Sequence, residues 1–544
     1  MHPVARPRRP CSENTLRVYR DDVRDGSDRL RLAELLAALS LGIDLGFGQP
    51  MEHVLRQCLI ALRIAERVGL DEDDRATVYY TALLINVGCH TDAHEQAKWF
   101  GDDIGLKSTK YDYGLRSVSG AIAGLRRIGS GHPLLRRFRI GAEFAVRGHR
   151  DLDKMIEHHG QIARELAAQL RLTPAVCDAI GSAYELWDGK GWPGLFGGND
   201  IPPATRIAQL AEFVEVANRV GGVAEAKALA AKQRGKQFDP GLCDLIVDEG
   251  DLILSNLDEA RTWAAVIAAE PALGITLSSE ETDAALQAVG DFIDLKSPYF
   301  LGHSRALAVL AGDAAAELGM SEVDIRAVRR AAQVSGFGRL GVSNAIWDKP
   351  GSLGAGEWER VRLHPYLTER MLHDSAALAP LGAIAAQIRE RLDGSGYPRG
   401  LHAVDITAQA RLLGAADAYQ AMLESRAHRP ALLPDNAADE LRSEAKAGRL
   451  DGDAVHAVLA AAGHRVPRRR EGPAGLTARE VDVLRLAARG MTNKDIAAVL
   501  FISPKTVANH IERVYLKIGA SNRAMASLFA MKHGLIPEDP GQTR

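Results

Sequence analysis

The sequence predicts an all-α protein, with two tandem helical bundles followed by a small four-helix domain. Three observations support this fold class. Ala, Leu, Arg and Glu dominate between about Arg29 and Ala462, and aromatic residues make up only 5% of the chain. A Gly-rich pattern occurs twice in that region, and helix start and stop signals are closely spaced after it. At 544 residues and 46% hydrophobic content, the chain can form several separate cores.

The C-terminal domain begins with a helix whose start is marked by a capping box. Thr477 and Glu480 are spaced so that each side chain satisfies a free backbone N–H of the first turn, and Gly490 ends the helix. A short helix over about 493 to 500 follows, and a last helix over about 522 to 533 closes the domain.

The third helix of this domain has a polar face that can enter a groove. Ser503 is a good N-cap, and Pro504 takes the first helical position, where its missing N–H costs nothing. The apolar residues recur every three or four positions and face the core: Val507, Ile511, Val514 and Ile518. A capped polar helix after a tight turn is the arrangement of a helix-turn-helix, so the sequence predicts DNA binding.

These features resemble the DNA-binding domain of the LuxR/FixJ-type response regulators and quorum-sensing regulators over nearly all of residues 475 to 537. The resemblance implies double-stranded DNA as a partner. It places base edges against Ala508, Asn509 and Glu512 and phosphates near Lys505, Thr506 and Arg513, and Lys517 completes the predicted DNA-binding set. Family members often carry a basic residue where Ala508 or Glu512 stands here. A small helical protein-binding module is the alternative.

Local charge agrees with DNA binding at this end of the chain. Residues 475 to 537 contain nine Lys or Arg and four Asp or Glu, a net charge of +5, whereas the whole chain carries −3. The preceding linker, residues 464 to 473, adds four arginines. Attraction to phosphate must therefore come from the linker and the predicted DNA-binding domain, residues 474 to 538.

The remaining helical region contains an internal duplication. Asp188-Gly-Lys-Gly-Trp-Pro193 corresponds to Asp393-Gly-Ser-Gly-Tyr-Pro398 at an offset of 205, which also relates His159 to His364. His53 and His303 correspond at an offset of 250, so the first copy carries an insertion of 45 residues. The predicted modules are residues 30 to 265, with the insertion within 89 to 158, and residues 275 to 463.

The second copy resembles the HD-GYP cyclic dinucleotide phosphodiesterases, and both copies are identified as degenerate members. The resemblance rests on Gly302-His-Ser, the stretches 341 to 351 and 390 to 400, His364-Pro and Asp417, which fall in family order. The family's metal cluster needs a His-Asp pair and a His-His pair. Here Ser335-Gly336 and Ile388-Arg389 stand at those places in the second copy, and Ile85-Asn86 and Ala183-Tyr184 in the first.

The resemblance leaves three candidate metal ligands in each module: His53, His159 and Glu212 in the first, and His303, His364 and Asp417 in the second. Three ligands suffice for a single divalent metal ion but not for a two-metal clamp on the attacking and leaving oxygens. No catalytic residue and no certain cofactor are therefore predicted. A helical fold retained after loss of activity is the expected outcome.

An anionic ligand such as a nucleotide could still bind without a metal. Arg339, Arg399 and the backbone of the Gly-rich loop, with Gly396 and Tyr397, form the predicted ligand-binding set. The alternative is a loop that merely turns the chain beside solvated arginines.

The insertion is rich in residue types that bind metals: Cys89, His90, Asp92, His94, Asp102 and Asp103. His90 and His94 share one face only if a helix spans them, and no Cys-x-x-Cys or His-Glu-x-x-His pattern is present. A polar, hydrogen-bonded loop is favoured over a replacement metal site.

The leading hypothesis is a cytoplasmic, homodimeric transcription regulator whose two modules act as a sensor or dimerisation region. No segment is long and apolar enough to be a signal peptide or to span a membrane. Residues 1 to 29 and 539 to 544 are predicted to be tails. A working metal-dependent phosphodiesterase with a DNA-binding tail, and a scaffold for a protein partner, are the alternatives.

Overall fold

The computed structural model describes residues 29–111, 126–130, 134–144, 149–257, 262–271, 274–464, 473–500 and 502–535. The predicted tails and the basic linker lie outside these ranges, apart from Arg29, His464 and Pro473. The described residues contain helices and isolated bridges but no β-strand, which confirms the predicted all-α fold class.

The first module is formed by helices α1 to α11 and by short 3-10 helices. The α-helices are α1 (Leu32–Gly46), α2 (His53–Arg67), α3 (Glu72–Leu84), α4 (Ala93–Phe100), α5 (Asp103–Ser108), α6 (Leu134–Glu143), α7 (His149–Gln169), α8 (Pro174–Gly181), α9 (Pro203–Gln233), α10 (Pro240–Ile253) and α11 (Thr262–Ala268). The 3-10 helices are Val87–His90, Thr109–Tyr111 and Gly198–Asp200.

The second module and the C-terminal domain continue the series. The second module contains α12 (Ser279–Asp294), α13 (His303–Glu317), α14 (Glu322–Val334), α15 (Asn344–Trp347), α16 (Ala355–Arg362), α17 (His364–Leu372), α18 (Ala379–Ala385), α19 (Ala408–Leu423), α20 (Pro434–Lys446) and α21 (Gly452–Ala461), with the 3-10 helix Phe337–Gly341. The C-terminal domain contains the 3-10 helix Pro473–Gly475, α22 (Ala478–Ala488), α23 (Asn493–Leu500), α24 (Pro504–Ile518) and α25 (Arg523–Lys532).

The internal duplication is visible in the backbone. The residue before each equivalent His, Glu52 or Gly302, is left-handed with φ of 76°. Gly88 and Gly338 are also equivalent, because a Cβ atom on either would lie within 2.4 Å of the carbonyl oxygen of His159 or His364 respectively. The chain thus passes too close to the next helix for any side chain at these glycines.

The two modules share one hydrophobic core. It extends from Leu30 to Ala385 and includes α1, α2 and α3 of the first module together with α12 and α17 of the second. A second core lies within the second module, between α13, α14, α19 and α21. Helix α1 packs directly on the 3-10 helix Phe337–Gly341, so this part of the second module is supported by the first module.

The helices of the C-terminal domain begin at the capping residues that the sequence predicts. Thr477 and Glu480 form the capping box of α22, and Ser503 Oγ accepts the Thr506 N–H at the start of α24. Asn522 caps α25. Val507 and Val514 are buried, which leaves the opposite face of α24 exposed. Across the described ranges, every helix is too short or too polar to cross a bilayer.

Candidate ligand-binding site and nucleic-acid interface

An arginine of the second module contacts its candidate metal ligands. Arg389 Nη1 lies 2.9 Å from Asp417 Oδ2, and His303 Nε2 lies 3.2 Å from Asp417 Oδ1. The other ring nitrogen of His303, Nδ1, is 2.9 Å from Glu424 Oε2. Asp417 and His303 are almost completely buried. Carboxylate, imidazole and guanidinium are therefore paired with one another by charge, while Asp417 Oδ2 and Arg389 Nε have no hydrogen-bond partner among the described residues.

The electrostatics of this cluster follow from burial and from Arg389. Burial by itself raises the pKa of Asp417, but Arg389 and then His303 hold that pKa well below its usual range. Burial, reinforced by Arg389, lowers the pKa of His364 to about 3. His364 Nδ1 lies 2.6 Å from the Val361 carbonyl oxygen, so the neutral ring donates that proton to the backbone.

A cavity of about 560 Å³ opens beside this cluster and is both cationic and aromatic. Its walls include Arg339, Arg389, Arg426, Arg429 and Lys349, together with Phe300, Trp347, Trp358 and Tyr397. Two guanidinium groups lie over the Phe300 ring, with Cζ of Arg339 at 4.6 Å and of Arg426 at 5.2 Å from its centroid. Such a cavity has the size and groups to bind an aromatic anion.

The predicted ligand-binding set is only partly brought together. Arg339 and Tyr397 line the cavity, and Nη1 of Arg339 also lies 3.4 Å from Asp294 Oδ1. Arg399 does not line this cavity, and its side chain forms an ion pair with Glu369. The Gly-rich loop is held by buried Glu390, whose carboxylate accepts the N–H groups of Arg399 and Leu401 at 2.8 Å each. These two N–H groups are therefore already used within the protein.

Gly396 has a structural role in that loop. A Cβ atom there would lie 2.3 Å from the backbone nitrogen of Arg391. The first module repeats the arrangement, because Glu185 accepts the N–H groups of Gly194 and Leu195. The loop is thus fixed in both modules by an internal carboxylate at an offset of 205.

The candidate ligands of the second module do not fit a metal ion in this arrangement. Both nitrogens of His303 face carboxylates, and Asp417 is shared between His303 and Arg389. Within the described ranges, no three His, Cys, Asp or Glu side chains are grouped so that they could hold a metal. A cation bound to Asp417 would also have to displace the half-buried guanidinium of Arg389.

A lysine takes the corresponding place in the first module. Lys110 Nζ lies 2.7 Å from Glu212 Oε1 and 3.0 Å from Asn86 Oδ1. Tyr111 donates to the same carboxylate oxygen at 2.8 Å, and its hydroxyl is 3.4 Å from His53 Nε2. His53 Nδ1 contacts Glu215. The insertion thus carries a Lys-Tyr pair into the centre of the first module's candidate metal site.

The third candidate ligand of the first module, His159, belongs to a separate cluster. Its Nε2 contacts Asp92, its Nδ1 lies 4.0 Å from Cys89 Sγ, and Tyr184 contacts the same sulfur. Although burial opposes the charged ring, Cys89 and Asp92 raise the pKa of His159 to about 9. The opposite nitrogens of the ring face Cys89 and Asp92, so these two groups cannot share one metal with His159.

The metal-binding residue types of the insertion are dispersed. His90 ends the 3-10 helix Val87–His90, and α4 begins at Ala93, so no helix spans His90 and His94. The two ring nitrogens of His90 lie 2.8 Å from the Val87 carbonyl oxygen and 2.9 Å from that of Phe292, while His94 pairs with Asp348. Asp103 accepts from Ser343 and Asn344 of the second module, whereas Asp102 precedes α5 without capping it. The insertion therefore joins the modules through polar contacts.

Several functional side chains escaped the sequence analysis. The role of Arg389 was not predicted because this arginine stands where the family has histidine. Lys110 lies in the insertion, which has no equivalent in the second copy for comparison. Glu424 follows Asp417 by seven residues and directly follows the end of α19, and this spacing was the available signal for a second carboxylate beside His303.

The recognition face of α24 is exposed over most of the predicted residues. Lys505, Ala508, Asn509, Glu512 and Arg513 are exposed, and Thr506 is half-buried because its hydroxyl lies 2.8 Å from Ser503 Oγ. Lys517 differs, since its Nζ contacts Glu480 Oε2 at 2.8 Å and the Gly475 carbonyl oxygen at 3.1 Å. Thr506 and Lys517 therefore have partners within the domain, whereas the other five predicted residues are exposed.

Comparisons with known proteins identify both parts of the chain. A family model of the HD domain matches residues 287–454, and a model of bacterial regulatory proteins of the luxR family matches residues 474–530. The C-terminal segment is also 50% identical over 60 residues to the uncharacterized transcriptional regulatory protein YhcZ of Bacillus subtilis, covering 11% of this chain and 28% of that protein. The chain is thus a DNA-binding regulator that carries phosphodiesterase-like modules.

The relatives of the N-terminal part define the family. The 3'3'-cGAMP-specific phosphodiesterase 3 of Vibrio cholerae is 32% identical over 412 residues, which cover 75% of this chain and 89% of that protein. A crystal structure of a cyclic GMP-AMP specific phosphodiesterase of V. cholerae matches with a TM-score of 0.56 and 27% identity, covering 81% of this chain and 99% of the other. The chain belongs to this family of HD-domain cyclic dinucleotide phosphodiesterases.

Proposed function

We propose that this protein regulates transcription through sequence-specific DNA binding by α24, and that its two HD-domain modules act as a non-catalytic sensor. Asn509, Glu512 and Ala508 face the base edges, and Lys505, Thr506 and Arg513 lie nearer the phosphates. Lys517 contributes charge at the far end of the helix while it stays paired with Glu480. Sequence is read by contacts to base edges, and phosphate contacts add affinity that falls with salt.

The ion pair between Arg389 and Asp417 carries the proposal that the second module does not hydrolyse a phosphodiester. Asp417 is the carboxylate that the family resemblance assigns to the metal, and here it neutralises a guanidinium. Removing one partner of a buried pair leaves an uncompensated charge, so an incoming metal would meet that cost as well as repulsion from Arg389. Lys110 beside Glu212 supports the same conclusion for the first module.

The cavity of the second module is the proposed ligand site. Its guanidinium groups provide N–H donors for phosphate, although each is also paired with a carboxylate: Arg339 with Asp294, Arg389 with Asp417 and Arg426 with Glu424. Trp347, Tyr397 and Phe300 provide aromatic surface for a base. Relatives are named for 3'3'-cGAMP and cyclic di-GMP, so a cyclic dinucleotide is the proposed ligand class. Arg339, Arg389 and Arg426 are the proposed phosphate-binding residues, with Tyr397 on the wall.

A homodimer is the proposed working form. One recognition helix reaches only a few base pairs, and helix-turn-helix proteins gain specificity by binding two half-sites as a dimer. The helical modules, which share one rigid core, are the proposed dimerisation region. The proposed domain limits remain 30 to 265 and 275 to 463 for the modules and 474 to 538 for the DNA-binding domain.

Calorimetric titration and a turnover assay on the full chain test the sensor. We expect 3'3'-cGAMP or cyclic di-GMP to bind with EDTA present, and no hydrolysis when Mn²⁺ is supplied. Arg426→Gln should weaken binding at least tenfold, while Arg362→Gln, an exposed arginine of α16, serves as the matched control. Metal-dependent hydrolysis that His364→Ala abolishes would instead establish a phosphodiesterase, and no heat at high micromolar ligand would eliminate the sensor.

The DNA output is tested separately by selecting bound sequences from a random pool of duplexes. We expect enrichment of a site with two half-sites and binding that weakens steeply with salt. Selection repeated with the cyclic dinucleotide reports whether the ligand changes DNA affinity. Failure to enrich any sequence, with correct folding verified by circular dichroism, would contradict the regulator.

A further inference from the structure

Helix α19 connects the proposed ligand cavity to the end of the second module. Asp417 on this helix holds Arg389 and His303, and Ala421, one turn later, lines the cavity. Arg389 is itself a wall residue. A guanidinium carries five N–H donors, so a phosphate bound to Arg389 would share this group with Asp417. The added anion would weaken the ion pair between Arg389 and Asp417, and Asp417 belongs to α19.

The same helix holds the residue that precedes the DNA-binding end of the chain. Tyr419 Oη lies 2.7 Å from Nε2 of His464, and the two rings meet edge to face with centroids 5.7 Å apart. Tyr419 is buried in the second core. His464 is the first residue of the predicted basic linker, residues 464 to 473, which leads to the DNA-binding domain.

The surroundings of His464 make Tyr419 its principal anchor. The backbone N–H of His464 donates to the Leu459 carbonyl oxygen at 3.0 Å, which ends α21. On the other side of the ring, Nδ1 is 3.6 Å from Asp435 Oδ1, whose side chain is 96% exposed. An exposed ion pair at that distance contributes little. The buried hydroxyl of Tyr419 therefore fixes the ring where the linker begins.

We propose that the hydrogen bond between Tyr419 and His464 transmits occupancy of the cavity to the DNA-binding domain. This inference rests on the proposed function, because it requires an anionic ligand at Arg389. The ligand weakens the pairing of Arg389 with Asp417, α19 moves as one rigid element, and Tyr419 carries His464 with it. The start of the linker is then displaced, which changes how two DNA-binding domains are held relative to each other.

The test measures coupling rather than either binding event alone. The ratio of DNA dissociation constants with and without saturating 3'3'-cGAMP is determined for the full chain on its selected site. A wild-type ratio of about 5 to 150, in either direction, is the usual range for coupled sites. In Tyr419→Phe, which keeps the ring and removes the hydroxyl, we expect the ratio to fall within about twofold of one.

Two further variants make the result specific. His464→Phe removes the same hydrogen bond from the other side, and the double variant with Tyr419→Phe should show no additional effect. Tyr366→Phe, at an exposed tyrosine of α17, is the matched control and should keep the wild-type ratio. Ligand affinity and ligand-free DNA affinity of Tyr419→Phe should stay within about twofold of wild type, which separates coupling from general damage.

The possible failures are distinguishable. If wild-type protein binds no nucleotide, the proposed sensor and this inference fall together. If it binds nucleotide and the ratio is one in the wild type, or remains unchanged in both Tyr419→Phe and His464→Phe, the sensor stands and the coupling role of this hydrogen bond is wrong.

Discussion

Half-buried Arg389 and fully buried Asp417 form an ion pair, with Nη1 and Oδ2 2.9 Å apart, in the second module's candidate metal site. The first module repeats the substitution with different residues, since Lys110 pairs with Glu212. In both modules a cation of the protein thus contacts the carboxylate that the family resemblance assigns to a metal. Asp417 and Glu212 thus each have a cationic partner within the protein, although the family's His-Asp and His-His pairs are absent.

Removing Arg389 should destabilise the second module. Arg389→Ala leaves the buried Asp417 carboxylate without its main cation, and we expect a loss of about 3 kcal/mol in the free energy of unfolding. Urea denaturation of the full chain, followed by circular dichroism, measures it. Asp417→Asn in the same chain should recover part of the loss, and Arg362→Ala should have little effect. Equal stability of Arg389→Ala and wild type would contradict the pairing.

Lys110 is predicted to be a structural cation of the first module. In Lys110→Met the Glu212 carboxylate keeps only the Asn86 and Tyr111 donors, so we expect about 3 kcal/mol of destabilisation. Lys446→Met, at an exposed lysine of α20, is the control and should change stability by less than about 0.5 kcal/mol. Thermal unfolding of both variants distinguishes a buried ion pair from a solvated lysine, for which the two would behave alike.

Chelation should leave the stability of the protein unchanged. A metal ion at a free concentration 100 times its dissociation constant would add about 2.7 kcal/mol to the free energy of unfolding. We expect the melting temperature to be the same with EDTA as with added Mn²⁺, because the histidine and carboxylate donors are already paired. A clear, saturable rise with Mn²⁺ that His303→Ala removes would show that a metal displaces the internal cations.

Two substitutions in α24 should separate base recognition from phosphate binding. Asn509→Ala should relax specificity at one position of the selected site by about 1–3 kcal/mol, whereas Arg513→Ala should weaken binding to all sequences and reduce the salt slope by about one. Lys532→Ala, on exposed α25, is the control. Fluorescence anisotropy across several salt concentrations measures both effects, and identical behaviour of the first two variants would refute this division.

Acid should lower the free energy of unfolding through His90, whose buried ring lies between the modules. Burial lowers the pKa of His90 to about 4, whereas an unfolded histidine titrates near 6.5. Between these values the unfolded chain binds a proton that the folded chain does not, so stability rises with pH through this window. Relative to pH 8, we expect about 2 kcal/mol to be lost at pH 5 through this residue. His90→Gln should remove that part of the pH dependence, unlike His373→Gln at an exposed site.

Much of the fold could be predicted from local signals. The capping box at Thr477, the N-cap at Ser503 and the periodicity of Val507 and Val514 are properties of adjacent residues, so the helices of the C-terminal domain follow from sequence alone. The offset of 205 correctly relates Glu185 to Glu390 in their loops. The prediction that the backbone of this loop binds an anionic ligand did not include Glu390, because Glu390 precedes the Gly-rich pattern in the sequence. Its carboxylate accepts N–H groups of the loop.

The sequence by itself determined the class of the protein: an all-α chain with two degenerate modules and a DNA-binding domain. It also showed that the family's His-Asp and His-His pairs are absent from both modules. These features are encoded by neighbours in the chain or by comparison of two copies. Only the tertiary structure decided what fills the candidate sites. Lys110 reaches Glu212, and Arg389 reaches Asp417, across 102 and 28 residues of chain respectively. Such pairs are set by packing and by the cost of leaving a buried charge alone, which no local pattern records.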